Sequence, residues 1–243
     1  MNDDPMIPLS PDDSFSFDCS SKIGCFNECC RDLNQFLTPY DVLRIKQVPG
    51  MSSSGFLEQY CGQHAGPESG LPVVTLKPAD PFTLVCPFVS PDGCTIYQHR
   101  PSSCRMYPLV RAVSRSRESG RLTEYFALLK ESHCMGHEQN QESTVSQWIK
   151  NQGLLPYNDM NDKLLEVISL KNRICPGPMD VKTSRFCFMA LYDLHPFRRH
   201  VFEKSILKDM TLDENLLEKA RTDDVALLTL GMEAIKQLIL KEP

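Results

Sequence analysis

Cysteine is the residue type that most constrains this chain. The 243 residues include eleven cysteines, and four of them, Cys19, Cys25, Cys29 and Cys30, lie within one short segment. Because the count is odd, the cysteines cannot all pair with one another in disulfides. The sequence starts with acidic residues and lacks the basic and then apolar segments of a secretory signal. We therefore expect a cytoplasmic protein whose cysteines serve metal binding or redox chemistry.

The spacing of the cysteines separates them into groups. The first is Cys19-x5-Cys25-x3-Cys29-Cys30, the second is Cys86-x7-Cys94-x9-Cys104, and Cys134 follows in Ser-His-Cys-Met-Gly. Thiolates are strong ligands for zinc, copper(I) and iron–sulfur units. Packing does not explain so dense a first group, so the pattern predicts a metal centre. The alternatives are reduced thiols buried in a core and regulatory disulfides.

The adjacent pair Cys29-Cys30 bears on the number of metals. In a helix Cys25 and Cys29 share a face, whereas Cys30 points about 100 degrees away. In an extended segment Cys29 and Cys30 face opposite sides. Either geometry suits two metals, or two irons of one cluster, better than one small ion. The chain also contains no CxxC pair, which disfavours a zinc ribbon.

Positive charge near the cysteine groups is a second indication. Four thiolates around a divalent ion leave a net charge of about −2, which is costly to bury without compensation. Lys22 and Arg31 flank the first group, and Arg100 and Arg105 flank Cys104. We expect Arg100 and Arg105 to contribute to cofactor binding as hydrogen-bond donors to sulfur. The alternative is solvated surface charge.

The hydrophobic pattern predicts an α+β fold. The regions are a disordered N-terminus at 1–14, a cysteine-cluster domain at 15–138 and a helical C-terminal region at 139–243. Pro39 begins one helix, and a second is expected at 53–63. Strands are expected around Val73–Leu76, at 82–85, 109–113 and 124–129, with a hairpin at 88–97. After about residue 140 the pattern becomes helical, with amphipathic helices around 164–168 and at 225–239.

Composition excludes several function classes. The net charge of −5 does not suggest a nucleic-acid partner. No apolar stretch approaches the roughly twenty residues of a membrane span. Glycine is sparse and no glycine-rich loop follows a strand, so no Rossmann methyltransferase domain is visible. The sequence also lacks HExxH, G-x-S-x-G and P-loop motifs.

Several of these motifs together resemble a known family. They are Phe17-x-Cys19, Cys29-Cys30, Thr38-Pro39-x-Asp41, Cys86-Pro87-Phe88, Gly93-Cys94-x-Ile96-Tyr97-x2-Arg100-Pro101-x2-Cys104-Arg105-x-Tyr107-Pro108 and Cys134-x-Gly136. Over roughly 15–138 the chain resembles the CxxCxxCC, or YkgJ-type, cysteine-cluster family, described as zinc- or iron-chelating. The family includes the flagellin lysine N-methylases. The spacings of five and three in the first group differ from the two and two of the family's name.

The resemblance implies a set of metal ligands and three functions. The implied ligands are Cys19, Cys25, Cys29, Cys30, Cys86, Cys94, Cys104 and Cys134, with Cys61, Cys175 and Cys187 outside the set. The main expectation is a protein that holds an iron–sulfur cluster, with [4Fe-4S] favoured, or zinc or iron ions. One alternative is a metal-dependent protein lysine N-methyltransferase that uses S-adenosylmethionine on a protein substrate. The other is a structural zinc module that presents its helices to a protein partner.

Overall fold

A computed structural model describes residues 6–31, 33–67, 69–116 and 118–241. Its strands are β1 (Met6–Leu9), β2 (Ser14–Ser16), β3 (Phe36–Leu37), β4 (Cys61–Ala65), β5 (Pro72–Leu76), β6 (Val89–Ser90), β7 (Gly93–Cys94), β8 (Leu109–Arg115), β9 (Leu122–Leu129) and β10 (Glu142–Thr144). Its helices are α1 (Pro39–Ile45), α2 (Ser53–Tyr60), α3 (Ser102–Met106), α4 (Val145–Asn151), α5 (Leu155–Ile174), α6 (Val181–Leu191), α7 (Leu194–Lys204), α8 (Glu214–Lys219) and α9 (Asp224–Lys241). Short antiparallel strands and a helical C-terminal region confirm the α+β class.

The chain divides into two compact units that alternate along the sequence. The first comprises 1–32 and 88–156, and the second comprises 33–87 and 157–243. The domains expected from the sequence, 15–138 and 139–243, are continuous, whereas each unit combines two separate segments. No helix in the described part of the chain is long and apolar enough to cross a membrane.

The first unit is built on small antiparallel sheets. One sheet has the order β1-β9-β8, while β2 pairs with β10 and β6 with β7. Its hydrophobic core consists of Phe15, Phe17, Met106, Leu109, Phe126, Leu128, Val145 and Leu154. The ring of Phe17 makes edge-to-face contacts with Tyr107 and Trp148, and Trp148 Nε1 donates a hydrogen bond to the Met106 carbonyl. This core therefore anchors, through Phe15 and Phe17, the chain that leads into the first cysteine group.

The N-terminal segment differs from the expectation of disorder over 1–14. Residues 6–9 form β1, which pairs with 126–129 of β9, and residue 14 begins β2. Residues 1–5 lie outside the described part. Strand β1 forms because its backbone N–H and C=O groups pair with the edge of β9. The composition of residues 6–9 does not reveal this partner.

The second unit is mainly helical, with one sheet of order β3-β5-β4. The helix predicted at Pro39 is confirmed as α1, where Thr38 and Asp41 form a capping box. Helix α9 carries the predicted stripe, with Leu228, Met232, Ile235 and Ile239 buried. It packs closely on α6, since a Cβ added at Gly231 would lie 2.4 Å from the Ala190 carbonyl oxygen.

Two predictions in the second unit were wrong. The strand expected at 82–85 is a turn, because Asp80 Oδ1 accepts hydrogen bonds from the backbone N–H groups of Phe82 and Thr83. The helix expected at 53–63 ends at Tyr60, and the next five residues form β4 along β5. Strand pairing therefore determines the backbone after Tyr60, which local propensity does not reveal.

The strands predicted in the first unit are confirmed at β8 and β9. The hairpin predicted at 88–97 is also present, but its strands are short: β6 and β7 flank a turn at Pro91-Asp92. Gly93 has a φ of 114°, a value that side-chain-bearing residues rarely adopt. The hairpin turn therefore requires this glycine.

Candidate metal centre

The first cysteine loop lies against the β6–β7 hairpin. Asn27 adopts a left-handed backbone conformation with φ 70°, and its Nδ2 donates a hydrogen bond to the Ser90 carbonyl at 2.9 Å. The ring of Phe26 occupies the space beside Gly93, where an added Cβ would lie 3.0 Å from Phe26 Cζ. These contacts hold the loop that carries Cys25 to Cys30 next to the hairpin that carries Cys94.

The segment around Cys134 is held against the chain that leads to Cys19. The Asp18 N–H donates to the Gly136 carbonyl at 3.1 Å, and a Cβ at Gly136 would lie 2.5 Å from the Phe17 ring. The next contact reaches the first cysteine loop, since the Met135 N–H donates to Cys25 Sγ at 3.2 Å. A backbone N–H directed at sulfur stabilises a thiolate, as such groups do around metal centres.

Mutual repulsion indicates which sulfurs lie near one another. Burial, together with smaller contributions from the negative charges of Cys29, Cys25 and Cys134, raises the pKa of the Cys19 thiol to about 11. Repulsion of this kind requires the charges to be close. The fold therefore gathers these four cysteines, which come from the first group and from Cys134, into one neighbourhood.

Cys94 belongs to the same neighbourhood. Burial raises the pKa of its thiol, while the Ile96 backbone N–H and the Arg100 guanidinium act in the opposite direction. The Cys29 thiolate adds a further increase. Cys29 is thus within electrostatic range of both Cys19 and Cys94, and it lies centrally in the cluster.

The adjacent cysteines have a geometry that neither sequence-based expectation included. Glu28–Cys30 is a single 3₁₀ turn, in which the Sγ atoms of Cys29 and Cys30 lie 4.0 Å apart. Two ligands of a tetrahedral zinc with Zn–S of about 2.3 Å are roughly 3.8 Å apart. This distance is compatible with one shared ion, and whether the pair binds one metal or two stays a prediction. A hydrogen bond from Cys30 lowers the pKa of the Cys29 thiol to about 7, although burial opposes it.

The two arginines near Cys104 are buried and hold the backbone. The Arg100 guanidinium lies 3.7 Å from the centre of the Tyr97 ring and donates to the carbonyls of Tyr97 and Cys104 and to the Gln152 side chain. Arg105 donates to three carbonyls, those of Gln98, Arg100 and Gln152. Their hydrogen bonds organise the segment at 97–105, and Arg100 adds positive charge beside Cys94. Direct contact with a cofactor stays a prediction.

The other candidates have different positions. Cys104 is exposed on α3, and Cys86 belongs to the second unit together with Cys61, Cys175 and Cys187. Arg31 forms an exposed ion pair with Glu28 at 3.1 Å, so its charge is directed at a carboxylate rather than a sulfur.

Sequence reasoning missed two groups that shape this site. Asn27 and the Met135 backbone N–H hold the loops together. A third group, the buried hydroxyl of Tyr107 from the sequence motif, lies near Cys134. Burial raises the pKa of this hydroxyl, and contact with the Cys134 sulfur adds to the effect. An asparagine before a cysteine pair is a turn signal that could have been used. The Met135 contact depends on tertiary structure and leaves no sequence signal.

The side chains of the first unit suit a thiophilic metal. The soft sulfur donors come from separate segments. One of them, Cys25 Sγ, accepts a backbone N–H hydrogen bond. The positive charge of Arg100 is buried, and its hydrogen-bond acceptors among the described residues are all neutral. Among the described residues, which include all eleven cysteines, no disulfide joins any pair. Over the same residues no three Cys, His, Asp or Glu side chains stand in metal-binding geometry. The cysteines of the first unit are therefore neighbours that do not form a preorganised set of ligands.

One comparison with known proteins identifies a relationship. A family model, "CxxCxxCC: Putative zinc- or iron-chelating domain", matches residues 18–146. This match begins one residue before Cys19 and ends after Cys134. No curated protein and no solved structure matches the chain.

Proposed function

Because the chain belongs to the CxxCxxCC family of zinc- or iron-chelating domains, we propose that its first unit binds metal through cysteine thiolates. The observation that carries the proposal is geometric: the Cys29 and Cys30 sulfurs lie 4.0 Å apart, and the Met135 N–H next to Cys134 donates to Cys25 Sγ at 3.2 Å. Deprotonating several neighbouring thiols costs free energy unless a cation balances the charge. A bound metal ion supplies that balance.

We propose six cysteines of the first unit as ligands. Two of them are the adjacent pair Cys29 and Cys30, whose sulfurs lie 4.0 Å apart. The others are Cys19, Cys25, Cys94 and Cys134. Cys104, exposed on α3, and Cys86, in the second unit, stay predictions from the sequence.

The identity of the metal is a more detailed part of the proposal. The spacing of the Cys29 and Cys30 sulfurs supports one zinc or iron ion that binds both. An iron–sulfur cluster remains the alternative, because it too is held by four thiolates, and six thiols are enough for either kind of centre. When bound, the metal would crosslink loops that are far apart in sequence. Lysine N-methylation stays a prediction, because no contact among the described residues points to a site for S-adenosylmethionine.

Metal loading of cysteine variants tests the proposal. The protein is purified without oxygen, loaded with zinc or with iron and sulfide, and analysed for metal per chain. We expect Cys29→Ser to lose most of the metal, while Cys61→Ala, the control on β4 of the second unit, retains it. A broad absorbance near 400 nm indicates a cluster, and a colourless zinc protein indicates single ions. Equal metal content in the two variants would overturn the proposal.

A further inference from the structure

A basic hollow of about 320 Å³ lies in the second unit, which contains none of the six proposed metal ligands. Five of its lining residues lie on α7, and the sixth follows α8. They are His195, Arg198, Arg199, Phe202, Glu203 and Arg221. Three guanidinium groups and one carboxylate line the hollow, and Arg198 and Arg221 each also pair with a carboxylate outside the lining.

Two of the arginines are held in place along one edge. Arg198 donates through Nε to the Ala220 carbonyl at 3.2 Å and through Nη2 to Asp224 at 2.7 Å. Arg221 donates through Nε to Glu218 at 2.8 Å. Among the described residues, Arg198 Nη1 and both Nη groups of Arg221 make no hydrogen bond. Anchored guanidinium groups with N–H donors to spare bind oxyanions at little cost in side-chain entropy.

His195 adds a neutral donor. The backbone N–H of Ser53 donates to His195 Nδ1 at 3.1 Å, so the ring accepts at Nδ1 and carries its proton at Nε2. Burial lowers the pKa of His195, and the charge of Lys46 lowers it further. The imidazole therefore remains neutral at pH 7, and its remaining polar group is an N–H donor.

Arg199 and Phe202 complete the hollow. The side chain of Arg199 is 67% exposed, and its Nε lies 4.0 Å from Glu203, which is a long ion pair that costs little to open. The Arg221 guanidinium lies 4.6 Å from the centre of the Phe202 ring. The ring provides an apolar surface beside the donors, and ligand sites commonly combine these two features.

We propose that this hollow binds a small organic oxyanion, a molecule with a phosphate or carboxylate group attached to an apolar body. The oxyanion would contact Arg199, Arg221 and Nη1 of Arg198, while the body would rest on Phe202. This proposal is independent of metal binding, because it depends on residues of the second unit alone.

Titration with simple probes tests the proposal on the full chain. Phenyl phosphate and phenylacetate present the two oxyanion types on the same ring, and inorganic phosphate lacks the ring. Binding is followed by calorimetry, with sodium chloride of equal ionic strength as the reference. We expect saturable binding of at least one aromatic probe with a Kd below about 1 mM, a modest affinity. Which aromatic probe binds more tightly identifies the oxyanion.

Variants show whether the hollow is the site. Arg199→Gln and Arg221→Gln are each expected to weaken binding of the aromatic probe at least tenfold. The control is Arg185→Gln, which changes an exposed arginine of α6 and should leave that binding unchanged. Both hollow arginines are more than half exposed, so the variants should fold, as circular dichroism would verify. Phe202→Leu should weaken binding of the aromatic probe more than it weakens binding of inorganic phosphate. Binding no stronger than that of chloride, or equal binding by all variants, would overturn the proposal.

Discussion

The two units of this chain are stabilised in different ways. The second unit buries long helices around a core, with α6 and α9 packed closely at Gly231. The first unit has a smaller core of aromatic and aliphatic residues, and much of its remainder is loops that carry cysteines. The side chains of Cys19 and Cys29 are exposed, although surrounding atoms partly desolvate their thiols, so hydrophobic burial contributes little at these positions. We propose from this comparison that the second unit is stable as a polypeptide, whereas the first unit depends on a bound metal as a crosslink.

Metal removal should produce the largest difference between the units. Structural zinc sites contribute on the order of 10 kcal/mol, which is comparable to the total stability of a domain. Hydrogen exchange with and without a chelator should show faster exchange at 19–30 and 88–94, whereas α9 stays protected. Equal loss of protection in the two units would contradict the comparison.

Asp224→Asn should destabilise the second unit by about 3 kcal/mol, because it leaves Lys46 buried without its partner. Lys46 Nζ and Arg198 Nη2 each lie 2.7 Å from an Asp224 oxygen. Urea unfolding of the metal-free protein measures the loss. The control is Asp159→Asn, which removes an exposed pair with Lys163 and should cost less than about 0.5 kcal/mol.

The same ion pairs give a pH dependence with a definite sign. Burial alone would raise the pKa of Asp224, but hydrogen bonds from Lys46 and Arg198 lower it below the ordinary 3.8. A lowered pKa means that the stabilisation is fully present above pH 3.8 and disappears as the pH falls through the folded value. The difference in stability between wild type and Asp224→Asn should therefore shrink in acid. A difference that grows below pH 4 would contradict this assignment.

Two glycine variants compare the units under one kind of change. In Gly231→Ala the new Cβ would meet the Ala190 carbonyl oxygen at 2.4 Å, and in Gly136→Ala it would meet the Phe17 ring at 2.5 Å. Overpacking typically costs about 1–3 kcal/mol. We expect Gly231→Ala to lower the thermal midpoint with or without metal.

Gly136→Ala should act on the metal site instead, because it displaces the segment that carries Cys134. A cost of about 1.4 kcal/mol corresponds to roughly tenfold weaker metal binding, which a competition titration with a chromophoric chelator would measure. Unchanged metal affinity would mean that Cys134 does not belong to the metal site.

Phe82→Ser should have the smallest effect. The Phe82 side chain is 94% exposed, and surface substitutions of this kind usually stay within about 0.5 kcal/mol. Urea unfolding would detect a larger loss, which would mean that the ring is covered in solution.

The sequence predicted those features that depend on local pattern. The helix start at Pro39 and the apolar stripe of α9 follow from local pattern alone, and so does the density of the first cysteine group. Features that depend on tertiary contacts were not predictable. The helical signal at 53–63 stops at Tyr60 because the following residues pair with β5, and Asp80 diverts 82–85 into a turn.

The candidate site shows the same limit. Its cysteines were identifiable by residue type, but the 3₁₀ turn at Glu28–Cys30 was not, and that turn determines the distance between two sulfurs. Arg100 and Arg105 were expected at sulfur. The structure shows both donating to backbone carbonyls, since a buried loop must satisfy its polar groups, and their contact with a cofactor stays a prediction.

X-ray absorption at the metal edge of the loaded protein tests the central claim most directly. A thiolate site in the first unit predicts a first shell dominated by sulfur, at about 2.3 Å for zinc, with fewer sulfurs in Cys29→Ser. A shell of nitrogen and oxygen alone, at about 2.0–2.2 Å, would contradict it.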